Sequence, residues 1–327
     1  MKEFRDYDEK YPDLVYDIVD YFRVEKGPRK PIDKSIIDYC SSSRYSDMNR
    51  EKGMIQPDTV HLICENLTRK GVLHCTRLGL RTDGWDSNYI FMTKDSNYFL
   101  KKSPALVFRL NCSAYGFRYI CQQYRKHVLP VVVKTKDGNI AMGTCFRFHT
   151  GIVTAKHCLE GEEVSIDGYS ADFLKRCPVL ISNDSKLDMA YIEMNEPSNL
   201  ISDTARVLDD VLVMGYPRIP MFSAFCAAER AAISSIPTKG AIAALADQYI
   251  TPKAKEIMLI TARIRGGNSG GPIIDSYGAV VGVAFSSPDS DGNYDKMGYG
   301  IAYPIHLFYQ MIEDCQELTV NFVDRVC

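Results

Sequence analysis

From Val128 to Phe285 the chain repeats one pattern, a short apolar run followed by a break. The runs are Val128–Val133, Gly143–Phe148, Gly151–Ala155, Val179–Ile181, Met189–Ile192, Val211–Met214, Ile257–Ala262, Pro272–Ile274 and Ala279–Phe285, separated by Asp-Gly, Asn-Asp and glycine-rich segments. Runs this short, with little helical periodicity between them, predict the many strands of a barrel or sandwich.

The first hundred residues have another texture. Leu14, Val15, Ile18, Val19 and Phe22 lie at helical spacing. A short second helix is expected from Ile36 to Cys40. A third is expected from Pro57 to Lys70, with Val60, Leu62, Ile63 and Leu67 apolar and Gly71 ending it. Val72, Leu73 and Cys75, a turn at Asp83-Gly84 and the run Tyr89–Met92 then predict a hairpin. Three helices and a hairpin, with the stretch ENLTRKGVLHC, resemble a winged-helix domain over about residues 10–100. That resemblance implies a third helix able to enter a DNA major groove, with Arg69, Lys70, Arg77 and Arg81 as nucleic-acid contacts. Glu65, Asp58 and Asp83 dilute that patch, so a solvated face or a protein partner fits the same residues. Tyr115, Tyr119, Ile120 and Tyr124 predict a connecting helix. The expected division is therefore a regulatory or interaction domain over 1–104, a connector over 105–126 and a second domain over 127–327.

Charge does not choose the partner. Residues 1–124 carry 20 Lys+Arg against 17 Asp+Glu, or +3; the rest carry 19 against 24, or −5; together they give −2. Neither part is basic enough to announce nucleic acid. The 46% hydrophobic content excludes a largely disordered or fibrous chain. No apolar stretch approaches the roughly 18–20 residues that span a bilayer, so no membrane association is expected. The opening MKEFRDYDEKYPDL lacks the apolar core of a secretory signal, and eleven scattered cysteines form no framework. A cytoplasmic protein with reduced thiols is the expectation. No phosphate-binding loop is present, and Cys64, His74 and Cys75 lack a fourth ligand, so neither a metal nor a cofactor is expected.

Three local patterns carry chemistry. Gly151–Cys158 (GIVTAKHC) is an apolar strand running onto His157; Leu187–Tyr191 sets Asp188 before a strand; Arg265–Pro272 (RGGNSGGP) frames Ser269 with glycines. A serine hydroxyl needs an adjacent base to become a nucleophile. Histidine suits that role because its pKa lies near operating pH. A carboxylate can fix the imidazole tautomer and stabilise the imidazolium. Glycines let the N–H groups of Gly267 and Ser269 converge on a developing oxyanion. Each residue also has a structural alternative: a core histidine, a strand cap, a turn serine. Asp184 is the local rival of Asp188.

Taken in order, the TAKHC, LDMAYIEM and GGNSGGP segments resemble the histidine, aspartate and serine motifs of chymotrypsin-like (trypsin-like) serine peptidases. The GYP and GYGIAYPI segments and the short loops look most like the HtrA-like branch. The resemblance covers about residues 127–327 and implies two six-stranded β-barrels, giving an α+β multidomain protein with a winged-helix-like domain ahead of a double barrel. It implies His157 as general base, Asp188 as orienting acid, Ser269 as nucleophile, and Gly267 and Ser269 as the oxyanion hole. A pseudoprotease with a collapsed oxyanion loop fits the same residues. By the same resemblance Arg263, Gly266, Ala284, Phe285, Ser286, Ser287, Gly300 and Ala302 line the primary substrate pocket. None is acidic, so cleavage after Lys or Arg is not expected. A small aliphatic residue is preferred, with an acidic one facing Arg263 as the alternative. Cys145 and Cys158 are expected as two buried thiols, although a disulfide is conceivable.

The expected function is an intracellular serine endopeptidase acting on protein substrates under an N-terminal sensor that takes an activating protein or DNA. Such an arrangement would suit bacterial stress or phage defence. The alternative is a DNA-binding regulator with a sensing or self-cleaving protease-fold domain.

Overall fold

The computed structural model describes residues 7–23, 34–91, 102–217, 235–247, 256–285 and 299–326. The chain divides into two compact units, Met1–Ile120 and Cys121–Cys327.

In the first unit the described helices are α1 (Tyr7–Lys10), α2 (Leu14–Tyr21), α3 (Ile36–Cys40), α4 (Ser43–Lys52), α5 (Pro57–Arg69) and α6 (Pro104–Tyr115). Local chemistry sets their ends. Ser35 and Asp38 form a capping box at α3, and Ser103 caps α6 ahead of Pro104; such caps are worth about 1 kcal/mol each. At the end of α5 the Val72 N–H reaches the Leu67 carbonyl at 2.8 Å and the Gly71 N–H reaches Thr68 at 3.0 Å, with Gly71 at φ +69. That is a Schellman stop, which a glycine permits. Strands β1 (Lys34–Ser35), β2 (His74–Arg77) and β3 (Asn88–Ile90) form a sheet in the order β1-β3-β2. Leu14, Ile18, Phe22, Ile36, Tyr39, Val60, Ile63, Leu67 and Leu73 fill the core. The predicted helices at 36–40 and 57–70 and the hairpin are present; α1, α4 and β1 were not legible. The connecting helix expected over 105–126 is instead two, because Gly116 at φ +71 ends α6 before α7 (Phe117–Tyr124) begins.

The second unit is built from two barrels. The first is a seven-stranded sheet of β4 (Val128–Lys134), β5 (Ile140–Phe148), β6 (Gly151–Thr154), β7 (Glu163–Ile166), β8 (Val179–Ser182), β9 (Ala190–Glu193) and β16 (Cys315–Glu317), in the order β16-β8-β9-β6-β5-β4-β7. One distant segment serves both edges. β16 pairs with β8, Cys315 facing Ser182. A few residues on, Val164 of β7 donates to Asn321 O at 3.0 Å and accepts from the Val323 N–H at 2.9 Å. Residues 315–323 thus strap the sheet shut, so the first barrel has seven strands rather than the six expected. The second barrel is closed and six-stranded: β10 (Asp210–Gly215), β11 (Ile236–Asp247), β12 (Glu256–Ile260), β15 (Gly300–Pro304), β14 (Val280–Phe285) and β13 (Pro272–Asp275). Val131, Val133, Ile152, Val164, Ile181 and Ile192 lie in the first core, and Val211, Val213, Ile242, Met258, Ile260 and Ala302 in the second. Short helices α8 (Ala171–Leu174) and α9 (His306–Glu313) complete the described elements. No described helix is long and apolar enough to cross a membrane.

Candidate active site

Strand register brings His157 and Asp188 together. β6 and β9 are antiparallel, with Thr154 facing Ala190 at the end of the ladder. His157 follows that end in a 3₁₀ turn, Lys156–Cys158, and Asp188 precedes it by two residues. The carboxylate takes two bonds: the His157 backbone N–H donates to Asp188 Oδ1 at 2.8 Å, and His157 Nδ1 donates to Oδ2 at 2.5 Å. With the proton on Nδ1, Nε2 is left as the basic nitrogen. Burial by itself works against the charged imidazole, but the Asp188 carboxylate and the Cys158 sulfur outweigh it and hold the histidine above its ordinary value.

Asp184 does other work. Its carboxylate accepts the Lys186 N–H at 3.0 Å and its carbonyl accepts the Leu187 N–H at 3.1 Å, a turn that leads into Asp188. Tyr303, on β15, donates its hydroxyl to Lys186 O at 3.2 Å and pins the same segment. Sequence reasoning did not find Tyr303, because nothing in a single tyrosine within an apolar strand marks its partner.

Ser269 lies between the glycines that lead into β13 and is 3% exposed. The Asn268 N–H reaches Arg265 O at 2.9 Å, closing a turn over Arg265–Asn268 in which Gly267 has φ +99 and Gly266 is not positive. A positive φ at the third turn residue alone makes this a type II turn. A side chain at Gly267 would also place its Cβ 2.1 Å from Tyr216 O. Neighbouring backbone groups are spent on structure: Gly270 N–H to Ala284 O at 2.8 Å, Gly271 N–H to Asn268 O at 2.9 Å, and Ala284 N–H to Gly271 O at 2.7 Å. The N–H groups of Gly267 and Ser269 have no partner among the described residues. The Ser269 hydroxyl likewise makes no hydrogen bond there.

The loop is anchored by a residue that sequence reading passed over. Thr144 on β5 is fully buried; its N–H donates to Ser269 O at 2.9 Å and its hydroxyl to Gly267 O at 2.6 Å. Its only early signal was a hydroxyl inside the apolar run Gly143–Phe148. Cys145 and Cys158 are buried free thiols, and burial pushes Cys145 well up.

Of the expected pocket residues, Ala284, Phe285, Gly300 and Ala302 lie on the neighbouring strands β14 and β15 of the second barrel. Ala284 pairs with Ala302 and Phe285 with Ile301 across β14 and β15, while Gly300 faces Ile260 on β12. Ala284 and Ala302 are in the barrel core, and Phe285 packs on Tyr303 with ring centroids 4.8 Å apart. Arg263 and Gly266 are exposed. Ser286 and Ser287 lie outside the described residues. In the first unit, Arg69 pairs with Glu65 at 3.3 Å and Arg81 with Asp83 at 2.7 Å, so two of the four basic candidates are bonded to acids.

Two barrels, a histidine–aspartate pair at the end of one and a glycine-framed serine entering the other describe a chymotrypsin-like peptidase domain. The family model of the trypsin-like peptidase domain matches residues 141–283. Among solved structures, the active form of the Rv3671c protease from M. tuberculosis is 19% identical, with a TM-score of 0.45 over 63% of this chain and 89% of that one. The HtrA-type protease AlgW with a tripeptide is also 19% identical, with a TM-score of 0.43 over 59% of this chain and 61% of the other. No curated protein matches the chain.

Proposed function

We propose that the chain is a serine endopeptidase of the HtrA-like branch, working through an acyl-enzyme. His157 Nε2 takes the Ser269 hydroxyl proton as Oγ attacks a peptide carbonyl. The oxyanion that forms is held by the N–H groups of Gly267 and Ser269. Collapse breaks the C–N bond, and the leaving amine takes the proton back from His157. Water then attacks the ester as His157 takes its proton; collapse breaks the carbonyl carbon–Oγ bond, His157 returns the proton to Ser269 Oγ, and the acid leaves. Asp188 keeps the imidazole oriented and stabilises its charged form throughout. The observation that carries this reading is the type II turn at Arg265–Asn268, which leaves two adjacent donors unspent beside the serine. The GYP and GYGIAYPI segments support the branch.

Protein substrates with a small aliphatic residue before the cleaved bond fit the uncharged alanine and glycine set Ala284, Gly300 and Ala302. The first unit, with a core of its own, is the proposed control module, and the bonded state of Arg69 and Arg81 favours a protein partner for it. Free thiols at all nine described cysteines support a reducing, intracellular setting.

A fluorophosphonate probe should label the full-length protein at Ser269, and a peptide library should be cleaved. Ser269→Ala should abolish labelling and cut turnover by several orders of magnitude, leaving on the order of 10³–10⁴-fold over water. Failure to label and to cleave, with cell extract supplied as activator, would sink the peptidase reading. Strong cleavage after Lys or Arg would overturn the pocket.

A further inference from the structure

We propose that Ile264 closes the base of the substrate pocket and limits the residue before the cleaved bond to about alanine size; the proposal rests on the peptidase reading of that site. The wall of the pocket can be followed from the nucleophile. Gly270, next after Ser269, donates its N–H to Ala284 O at 2.8 Å, and the Ala284 N–H reaches Gly271 O at 2.7 Å. Ala284 pairs with Ala302 across β14 and β15, and both belong to the barrel core. Side chains two apart on a strand share a face, so Gly300 lies on the same side as Ala302. Gly300 pairs with Ile260 at the end of β12. From there the chain runs through Ala262 and Ile264 into the Gly267 turn and back to Ser269. Ala284, Ala302, Gly300 and Ile264 thus form a ring of neighbours that begins and ends at the serine.

Within that ring Gly300 is a glycine for want of space. Its φ is not positive, so its backbone does not require one. A Cβ at Gly300 would sit 2.8 Å from Ile264 Cγ1, 2.9 Å from Ile264 Cδ1 and 2.7 Å from Ala262 O. Non-bonded carbons settle at about 3.5–4.0 Å, so no side chain fits there beside the isoleucine. The room that a glycine wall would leave for substrate is already taken by Ile264. That side chain is half-buried and packs on the core of the second barrel. Its neighbour Arg263 is exposed, and the Arg263 carbonyl is tied to β11 by the Thr238 hydroxyl at 3.1 Å. The base of the pocket is therefore apolar and shallow. A methyl group can enter, whereas leucine, methionine or phenylalanine would have to displace Ile264 against a packed barrel. An acidic side chain would bury its charge against hydrocarbon. Size is the selecting property.

Labelling of the full-length chain by peptide phosphonates tests this, with Ser269 adducts read by mass spectrometry and cell extract supplied as activator. Two probes differ only in an alanine or a leucine side chain beside the phosphorus. Wild type should react at least about tenfold faster with the alanine probe. Ile264→Ala should raise the leucine rate relative to the alanine rate on the order of 10²-fold, and Ile264→Val about tenfold. A merely structural role for Ile264 would slow both probes alike and leave their ratio unmoved. Wild type that takes leucine as fast as alanine overturns the proposal, and so does Ile264→Ala with an unmoved ratio. If Ile264→Ala does not fold, an unmoved ratio in Ile264→Val overturns it instead. A fluorophosphonate without a peptide side chain separates the two readings. Wild type that ignores this reagent as well defeats the peptidase reading and the role of Ile264 with it. Wild type that reacts with it, while the variants leave the ratio unmoved, defeats the role of Ile264 alone.

Discussion

At the scale of single residues, the His157–Asp188 pair makes a pH prediction with a definite sign. The imidazole acts as a base only when unprotonated, and Asp188 stabilises its protonated form. The acid limb of the kcat/KM profile should therefore lie above the ordinary histidine value of about 6.5. Asp188→Asn removes the hold: the limb should move to lower pH and kcat should fall on the order of 10⁴-fold. A pH–rate profile of the two proteins checks both; an unmoved limb would show that another group sets it. His157, Asp188 and Ser269 were legible because each sits in a short local pattern, and strand pairing carried two of them to one place. Thr144 was not legible, since its hydroxyl meets a carbonyl 123 residues away and no local signal encodes that meeting.

At the scale of elements, the start of β4 carries a second titration. His127 precedes the strand, its backbone carbonyl accepts the Arg147 N–H at 2.8 Å, and its Nδ1 is buried without a partner among the described residues. Burial, with Lys126 and Arg147 adding repulsion, pushes the imidazole down to about 4. Above about pH 6.5 it is neutral folded and unfolded and adds no pH dependence. As pH falls from there towards about 4, the unfolded chain takes up a proton that the folded chain refuses, so stability drops. Between pH 7 and pH 5 the urea midpoint of the wild type should fall further than that of His127→Gln; equal falls would assign the acid sensitivity elsewhere. The nine apolar runs all became or touched strands, yet β7, β11, β15 and β16 escaped notice. β11 contains Pro237, Lys239, Gly240 and several alanines, all weak strand formers. β16 is only Cys-Gln-Glu, a strand because β8 offers an edge and for no reason of its own.

At the scale of the whole molecule, the two units differ in how they could be read. Helix spacing and the Gly71 stop exposed the α5 end of the first unit, whereas the second unit depends on pairings between distant strands. Removing residues 315–327 should uncover the β8 and β7 edges at once, and unpaired edges invite aggregation. The shortened chain should unfold at lower urea and scatter light on warming, and a synthetic 315–326 peptide should reverse part of both. A truncated chain as stable as the whole one would mean that the strap is ornamental. Because the strap lies after the second barrel in the chain, the first barrel's sequence brackets the second like a pair of parentheses. A single cut in the stretch between β9 and β10 would therefore not yield two free halves. The C-terminal fragment would still hold the strand that the first barrel requires, and the severed protein should stay together as a heterodimer.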